Sequence, residues 1–343
     1  MECPVPISDY PHILLAHGGG GRLTDQLIRQ LFYAGLSNEL LETGHDGAVL
    51  PPLTGKVAMT TDSFVVDPVF FPGGDIGHLA VNGTVNDLVC CGAFPRYLSL
   101  AFILEEGLPM EELWSVVRSI GAAAREAGIQ VVTGDTKVVE KGKGDRIFIN
   151  TTGIGEVLPG IDISPVRCRE GDVVIINGPI GDHGIAILNA RKQMLIQSSV
   201  ESDTCSLWNM MKEVFRVVPD IHVLRDPTRG GVASALNEIC DRSKTGIILD
   251  EKEIPVSPGV RGASEILGLD PLYIANEGKI LVILPEEEAG KALSVMRTFP
   301  EGRESRIIGR VTRDNPGLVQ LETVIGTSRI VKMITGEQLP RIC

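Results

Sequence analysis

The chain has 343 residues, of which 43% are hydrophobic and 22% are charged, so it is long enough and apolar enough for two globular domains. A formal charge of −12 and the lack of a long basic run argue against a nucleic-acid partner. No segment reaches the length of a membrane-spanning helix, and the N-terminus has no basic region followed by an apolar run. We therefore expect a cytoplasmic protein that binds no membrane.

The seven cysteines do not form a recognisable framework. They are odd in number, lack the CxxC spacing of metal sites and mostly lie in apolar runs. We expect most of them to be small buried hydrophobic residues, without disulfides.

The first part of the chain has the periodicity of a mixed α/β unit. A Gly-rich segment at 17–21 precedes a short helix that ends at residue 36. The predicted strands are 56–61, 97–104, 130–133 and 146–157, and the predicted helices are 77–89 and 110–127.

A turn-rich stretch at 158–165 predicts a domain boundary near residue 160. Beyond it, the predicted strands are 173–176, 246–249 and 280–284, and the predicted helices follow residue 182 and span 207–217, 231–242 and 286–298. We therefore expect α/β and α+β domains at 1–160 and 161–332 and a mobile tail at 333–343 that ends in Cys343.

Four aspartates stand in similar settings, at strand ends or the starts of turns: Asp46, Asp62, Asp87 and Asp226. Carboxylates so placed can converge on one Mg²⁺-nucleotide, because Mg²⁺ takes one or two carboxylates and completes its shell with phosphate and water. Asp before Gly or Pro also caps helices and starts turns. For each aspartate taken alone, that structural role is the better interpretation.

The helix that contains Asp87 has an unusual polar side. Val81 and Val85 belong to its apolar face, whereas Asn82, Gly83 and Asn86 fall opposite. Gly and Asn lower helix propensity, so their presence requires another reason. Close approach of a phosphate or metal and a contact between helices or protomers explain them equally well.

Two further segments are candidates for the site. Asp135, Thr136 and Lys137 follow an apolar strand, where α/β proteins place ligands. Lys137 bridges phosphates, assists proton transfer, or is only a surface lysine at a turn. Glu277 is either a general base or a loop carboxylate. The Gly-rich segment lacks the Lys-Ser/Thr of a P-loop, and we interpret it as a hinge or a lid over ATP.

The terminal Cys343 follows Pro-Arg-Ile, and we expect an accessible thiol there. Its thiolate can accept an acyl or carbamoyl group, and Arg341 would help to stabilise the thiolate. A prenylation box would need three residues after the cysteine.

Taken in order, these motifs resemble the aminoimidazole ribonucleotide synthetase-like ATPase superfamily, and within it the HypE family of hydrogenase maturation proteins. The residues that carry the resemblance span nearly the whole chain: 17–21, 44–49, 60–64, 74–88, 134–137, 226–231, 276–279 and 340–343. Selenophosphate synthetases of the same superfamily have a reactive Cys or selenocysteine in the glycine-rich region. Cys3 lies too far upstream for that role.

The resemblance implies a two-domain fold whose N-terminal domain forms a homodimer through its sheet. It implies that ATP and Mg²⁺ are the cofactors, with Asp46, Asp62, Asp87 and Asp226 holding Mg²⁺ on the phosphates and Asn82, Asp135 and Thr136 near the nucleotide. It also implies the partners HypF, a carbamoyltransferase, and the HypC–HypD complex.

The resemblance further implies that Cys343 receives a carbamoyl group, which ATP-dependent dehydration converts to a thiocyanate. The cyanide then passes to the iron of nickel–iron hydrogenase, and Glu277 and Lys137 are the candidates for moving protons. Two alternatives remain open: a kinase or synthetase acting on a free small molecule, and a nucleotide-regulated carrier or scaffold.

Overall fold

A four-stranded and a seven-stranded β-sheet, one in each half of the chain, form the framework of the computed structural model, and two short strands, Phe70–Phe71 and Gly74–Asp75, form a separate two-stranded sheet. The structure describes residues 5–7, 9–191, 199–336 and 341–343. Cys3 lies outside the described residues. None of the helices in the described part is both long and apolar enough to cross a membrane.

The first half, up to residue 157, forms a four-stranded sheet. Its elements are α1 (Arg22–Leu27), continued through a π-helical turn (Ile28–Phe32) into α2 (Tyr33–Leu36), then β1 (Val57–Phe64), β2 (Phe70–Phe71), β3 (Gly74–Asp75), α3 (Ile76–Cys90), β4 (Ala93–Glu105), α4 (Met110–Ala127), β5 (Gln130–Val139) and β6 (Ile147–Val157). The strand order is β1-β6-β4-β5, in which β5 is parallel to β4 and the other pairs are antiparallel. β1 and β5 therefore form opposite edges of this sheet.

Side chains alternate between the two faces of the sheet, as the pleat of a β-strand requires. The inner face lies under α3 and α4, and Ile147, Ile149 and Thr151 of β6 are buried there. Met59 of β1 and Ile103 of β4 are exposed on the outer face. Asp62 of β1 alternates with Met59 and so belongs to the inner face.

The second half, from residue 172, forms a seven-stranded sheet with helices packed against it. Its elements are β7 (Asp172–Ile176), α5 (Asp182–Ala190), α6 (Trp208–Val217), β8 (Val223–Arg225), α7 (Gly231–Ser243), β9 (Gly246–Asp250), α8 (Pro258–Leu267), β10 (Leu281–Pro285), α9 (Glu286–Met296), β11 (Arg306–Thr312), β12 (Val319–Glu322) and β13 (Ser328–Val331). The strand order is β13-β12-β9-β11-β7-β10-β8. β7 and β10 lie inside the sheet and are buried along their whole length, which explains their continuous apolar sequences.

One hydrophobic core includes residues of both halves. Trp208 of α6 stacks on Phe94 of β4 with 5.0 Å between the ring centroids. Leu207 and Met211 belong to the same buried cluster as Leu88 and Val89 of α3. The two halves therefore pack closely, and a division near residue 160 stays a prediction about how the chain is organised.

Every helix and strand that the periodicity predicts has a counterpart in the structure, and α4 has the predicted bounds. The prediction missed the two-residue strands β2 and β3 in the first half, and α8, β8, β11, β12 and β13 in the second half.

The expectation that 134–137 follow a strand was wrong. These residues lie inside β5, because parallel pairing with β4 continues from Tyr97 to Glu105 and extends β5 to Val139. Gly134 is required in this pairing, since a Cβ there would stand 2.3 Å from the carbonyl oxygen of Leu100.

Candidate active site

Three of the four predicted aspartates meet where α3 crosses between the sheet of the first half and the second half. Asp62 lies on the inner face of β1, Asp87 in the last turn of α3, and Asp226 directly after β8. The Thr60 hydroxyl, also on β1, donates to the Asp87 carboxylate at 2.5 Å. Asp87 lies close enough for its charge to act on the ionisation of both Asp62 and Asp226.

Burial and neighbouring negative charge raise the pKa of Asp62 and of Asp226. Burial raises the pKa of Asp62, and the negative charge of Asp87 and a shared hydrogen bond with it raise the pKa further. The pKa of Asp226 rises to about 7, again first because of burial and then because of Asp87. Burial and the negative neighbours outweigh the opposing charges of Arg229 and Arg225, so a cation placed among these carboxyl groups would be stabilised.

Glu277 adds a fourth carboxyl group, in the loop before β10. It is 4% exposed, and its Oε1 atom has no hydrogen-bond partner. Burial raises its pKa well above the usual value, and the nearby charges of Asp226, Asp203 and Asp62 add to the shift. A buried carboxyl oxygen without a partner is costly, so Glu277 is oriented for a group that completes the site.

The carboxyl groups fit a divalent cation bound together with phosphate. Oxygen ligands are those that Mg²⁺ prefers, and Mg²⁺ usually takes only one or two carboxylates from a protein. Within the described part of a single chain, no three His, Cys, Asp or Glu side chains already form a closed metal-binding group. The site therefore has the composition of a Mg²⁺-phosphate site, in which the phosphate would supply the remaining ligands.

Asp203 holds the Glu277 loop in place. Its two carboxylate oxygens accept from the backbone N–H groups of Glu277 and Gly278, each at 3.1 Å. The same carboxylate forms an ion pair with Lys279 at 3.1 Å, and both side chains are less than one tenth exposed. Burial acts against both charges, but the pair lowers the pKa of Asp203 and raises that of Lys279 on balance.

The polar side of α3 is used mainly for contacts with other parts of the chain. Asn86 donates to the carbonyl oxygen of Cys205 at 3.0 Å and accepts from the N–H of Leu207 at 2.9 Å. Asn82 contacts Nε2 of His78 at 3.1 Å, and a Cβ at Gly83 would stand 3.1 Å from the ring of Phe64. For Asn86 and Gly83, close packing is thus sufficient reason for the residue type.

The last three residues of the chain are docked beside the carboxyl groups. The N–H of Val65 donates to the carbonyl oxygen of Cys343 at 3.1 Å, and that of Asp67 donates to the carbonyl oxygen of Arg341 at 3.3 Å. Residues 65–67 therefore run in the direction opposite to residues 341–343, as in a pair of antiparallel strands. Ile342 is buried between the halves.

The docked thiol of Cys343 is held in its neutral form. Burial raises the pKa of this thiol to about 12, the charge of Glu277 raises it further, and Arg229 opposes the shift. The expectation that Arg341 would stabilise the thiolate was wrong. The Arg341 guanidinium instead donates to Asp145 and to the carbonyl oxygen of Val65, because its backbone pairing with Asp67 turns the side chain away.

The other predicted residues lie at the opposite edge of the first sheet. Asp135 and Lys137 are exposed on β5 and form an ion pair at 2.6 Å, and Thr136 and Asp135 line a cavity of about 320 Å³ together with Gly44. Asp46 is exposed in the loop next to Gly44. Three strand spacings of about 4.8 Å separate β5 from β1, so the side chains of Asp135, Thr136 and Lys137 are roughly 14 Å from Asp62 within one chain.

Sequence reasoning missed Asp203, His183 and Arg229. Asp203 lies outside regular secondary structure. Its hydrogen bond with the backbone of Glu277 joins residues far apart in the chain, so no local pattern indicates it. His183 has a weak signal, because a histidine in an otherwise apolar helix start is unusual. Arg229 lies in the 226–231 segment, where only Asp226 was singled out.

The chain is similar to known proteins along nearly its whole length. Residues 44–157 match the family "AIR synthase related protein, N-terminal domain", and residues 169–321 match its C-terminal domain. The carbamoyl dehydratase HypE of Azotobacter vinelandii is 52% identical over 331 residues, which is 96% of each chain.

Solved structures of HypE proteins are among those similar to this one. The hydrogenase maturation protein HypE in complex with ATP has a TM-score of 0.93 at 51% identity, covering 96% of this chain and 99% of that chain. A chain of the HypE–HypF complex has a TM-score of 0.79 at 46% identity, covering 90% and 99%.

Proposed function

This chain belongs to the HypE family of carbamoyl dehydratases, and we propose that it uses ATP to dehydrate a carbamoyl group carried on its own Cys343. The observation that carries the proposal is the docked C-terminus, which lies beside Glu277 and the carboxyl groups of Asp62 and Asp226. A terminal thiol in that position is a tethered substrate, present at high effective concentration.

The chemistry requires a good leaving group and the removal of two protons. The carbamoyl group on sulfur is a thiocarboxamide, whose amide oxygen leaves poorly. Transfer of the γ-phosphoryl group from ATP to that oxygen converts it into a phosphate ester. Loss of the two N–H protons and departure of phosphate then give S–C≡N, so that one water is removed overall and ATP becomes ADP and phosphate. The resulting thiocyanate supplies the cyanide ligand for the iron of nickel–iron hydrogenase.

Glu277 is the best-placed group in this chain to take a proton. It is buried next to the Cys343 thiol, its raised pKa makes its carboxylate basic, and Oε1 is not used by another hydrogen bond. Within one chain, Lys137 lies on the edge of the sheet opposite Asp62. Lys137 could therefore take part in proton transfer only in the site of a second copy of the chain.

Mg²⁺ would neutralise charge on the phosphates of ATP and on the departing phosphate. Asp62, Asp87 and Asp226 would hold it on this side of the site, and Asp46 together with Asn82, Asp135 and Thr136 would contact the rest of the nucleotide. The mutual repulsion of the carboxylates supports this assignment, since a cation relieves it.

A homodimer would complete the site. β1 and β5 are opposite edges of one sheet, and the outer face carries exposed Met59 and Ile103. When two such sheets pack face to face around a two-fold axis, the β5 edge of one copy can lie beside the β1 edge of the other. That packing would bring Asp46, Asp135 and Lys137 of one protomer toward Asp62 of its partner.

Two further partners follow from the proposed reaction. The carbamoyl group must be supplied to Cys343 by a carbamoyltransferase, and the HypE–HypF complex supports HypF in that role. The cyanide must be accepted by an iron carrier, which we assign to a HypC–HypD complex. We also propose a cytoplasmic location, because a free thiol persists and ATP is supplied in that compartment.

The proposal is tested on carbamoylated full-length protein. With Mg-ATP, the C-terminal peptide of the wild type should lose the mass of one water, and Cys343→Ala protein should form no nitrile. Nitrile formation without Cys343 would support a kinase or synthetase acting on a free molecule. Retained ATP binding without any loss of water would support a carrier or scaffold instead.

A further inference from the structure

His183, in the first turn of α5, connects the docked C-terminus to the second half of the chain. It is fully buried, and its Nε2 atom lies 2.6 Å from the carbonyl oxygen of Ile342. Its Nδ1 atom lies 2.8 Å from Oγ of Ser202. The ring of Phe71, from the first half, packs perpendicular to the imidazole, with 5.6 Å between the ring centroids.

The partners fix which ring nitrogen carries the proton. A carbonyl oxygen can only accept, so Nε2 must donate to Ile342. Burial lowers the pKa of His183 and favours the neutral ring, whose Nδ1 then accepts from the Ser202 hydroxyl. Ser202 is itself oriented, because its Oγ accepts from the N–H of Thr204 at 3.2 Å.

The same segment holds both the C-terminus and Glu277. Ser202 acts on Ile342 through His183, and the next residue, Asp203, holds the backbone of Glu277. Adjacent residues thus fix the position of the thiol-bearing end and of the carboxyl group beside it. Arg191 adds a second contact, since its guanidinium donates to the carbonyl oxygen of Arg341 at 2.7 Å.

We propose that His183, oriented by Ser202, is a positioning residue that holds the C-terminus with Cys343 next to Glu277. The part of this proposal that concerns reaction rate rests on the proposed function, whereas the docking itself does not. The imidazole of His183 hydrogen-bonds the backbone of Ile342 and the hydroxyl of Ser202, so it acts on the C-terminus through the backbone of Ile342.

The first measurement is the rate at which an alkylating reagent, iodoacetamide, modifies Cys343, followed on the C-terminal peptide by mass spectrometry. The docked thiol is largely buried and should react slowly. His183→Ala should raise the rate by about fivefold to tenfold, the effect of losing one buried hydrogen bond. His183→Gln, which can place an N–H near the same carbonyl oxygen, should restore most of the protection.

His222 offers a matched control, because it is a fully buried histidine of the same half and hydrogen-bonds Asp172 at 2.8 Å, away from the C-terminus. His222→Ala should leave the alkylation rate unchanged even if it lowers overall stability. An alkylation rate in His183→Ala equal to that of the wild type, or raised equally in His222→Ala, would overturn the proposal.

The second measurement is single-turnover dehydration of carbamoylated protein with Mg-ATP. His183→Ala should slow this step by a similar factor while its affinity for ATP stays that of the wild type. If wild-type protein forms no thiocyanate, the proposed function fails, yet the alkylation result still decides whether His183 holds the C-terminus. If thiocyanate forms at the wild-type rate in His183→Ala, the positioning role is wrong.

Discussion

The side-chain amide of Asn86, on α3, donates a hydrogen bond to the backbone carbonyl oxygen of Glu277 at 3.3 Å, from the first half of the chain to the second. Asp87 is the next residue of the same helix. The helix that carries one carboxyl group of the site therefore also fixes the loop that carries another. This link makes the relative placement of the two halves part of the active-site geometry.

Replacing Asn86 should destabilise the fold as well as the site. Asn86→Ala removes two donated bonds and one accepted bond at a buried position. We expect a loss of about 2–4 kcal/mol in the free energy of unfolding, measured by denaturant titration. Asn209 is exposed and has a single bond of 3.5 Å, so Asn209→Ala is the control and should change stability by less than about 0.5 kcal/mol. Equal losses in both variants would contradict this view of Asn86.

Glu277→Gln should retain ATP binding and lose dehydration. The amide keeps the size of the carboxyl group but is not a base, so the single-turnover rate should fall by about 10²–10⁴-fold. In the wild type, the rate should rise with pH through the raised pKa of Glu277, because only the carboxylate accepts a proton. Glu286→Gln, at the exposed start of α9, is the matched control. Full activity of Glu277→Gln would show that another group is the general base.

The carboxyl cluster should make the ligand-free protein less stable as pH rises. Asp226 has a usual pKa of 3.8 when unfolded and about 7 when folded, so the folded state binds more protons between these values. Its contribution to stability is thus full below about pH 4 and is lost progressively as pH rises towards 7. Asp226→Asn removes this titration and should flatten the fall of unfolding free energy over that range. If the unfolding free energy of Asp226→Asn fell more steeply with pH than that of the wild type, the sign that we assign to the Asp226 contribution would be wrong.

The ion pair of Asp203 and Lys279 should show strong coupling in a double-mutant cycle. Asp203→Asn leaves a buried ammonium group without its charge partner and should cost about 3–5 kcal/mol of stability. Lys279→Met in the same protein removes that unpaired charge and should recover part of the loss. Unfolding free energies of the two single variants and the double variant test this. Simple additivity would mean that the pair does not interact in solution.

The outer face of the first sheet should form the contact between protomers. Met59 is 68% exposed on this face, and Met59→Glu would place a charge where two sheets are expected to meet. Light scattering should then show a monomer. The melting temperature of this monomer should be little changed, and its dehydration activity should be lost. Ile266, 72% exposed on α8, provides the control, and Ile266→Glu should keep the oligomeric state of the wild type. A dimer that survives Met59→Glu would exclude this face.

The sequence by itself determined the elements whose signals are local. The apolar period and the glycine after Ala127 define α4 to the residue, and continuous apolar runs mark β7 and β10. It also identified Asp62, Asp87, Asp226 and Glu277 as candidates through their ordered motifs. Helix periods, caps and buried runs are set by neighbours within a few residues, which is why they can be recognised without a fold.

Only the tertiary structure decided how these residues meet. The pairing of 341–343 with 65–67, the Asp203 contact with Glu277 and the His183 contact with Ile342 join parts of the chain separated by many residues. The extension of β5 through 134–137 likewise depends on its neighbour β4. Backbone hydrogen bonds have no side-chain specificity, so no residue pattern at Cys343 indicates which strand it pairs with or that burial raises the pKa of its thiol.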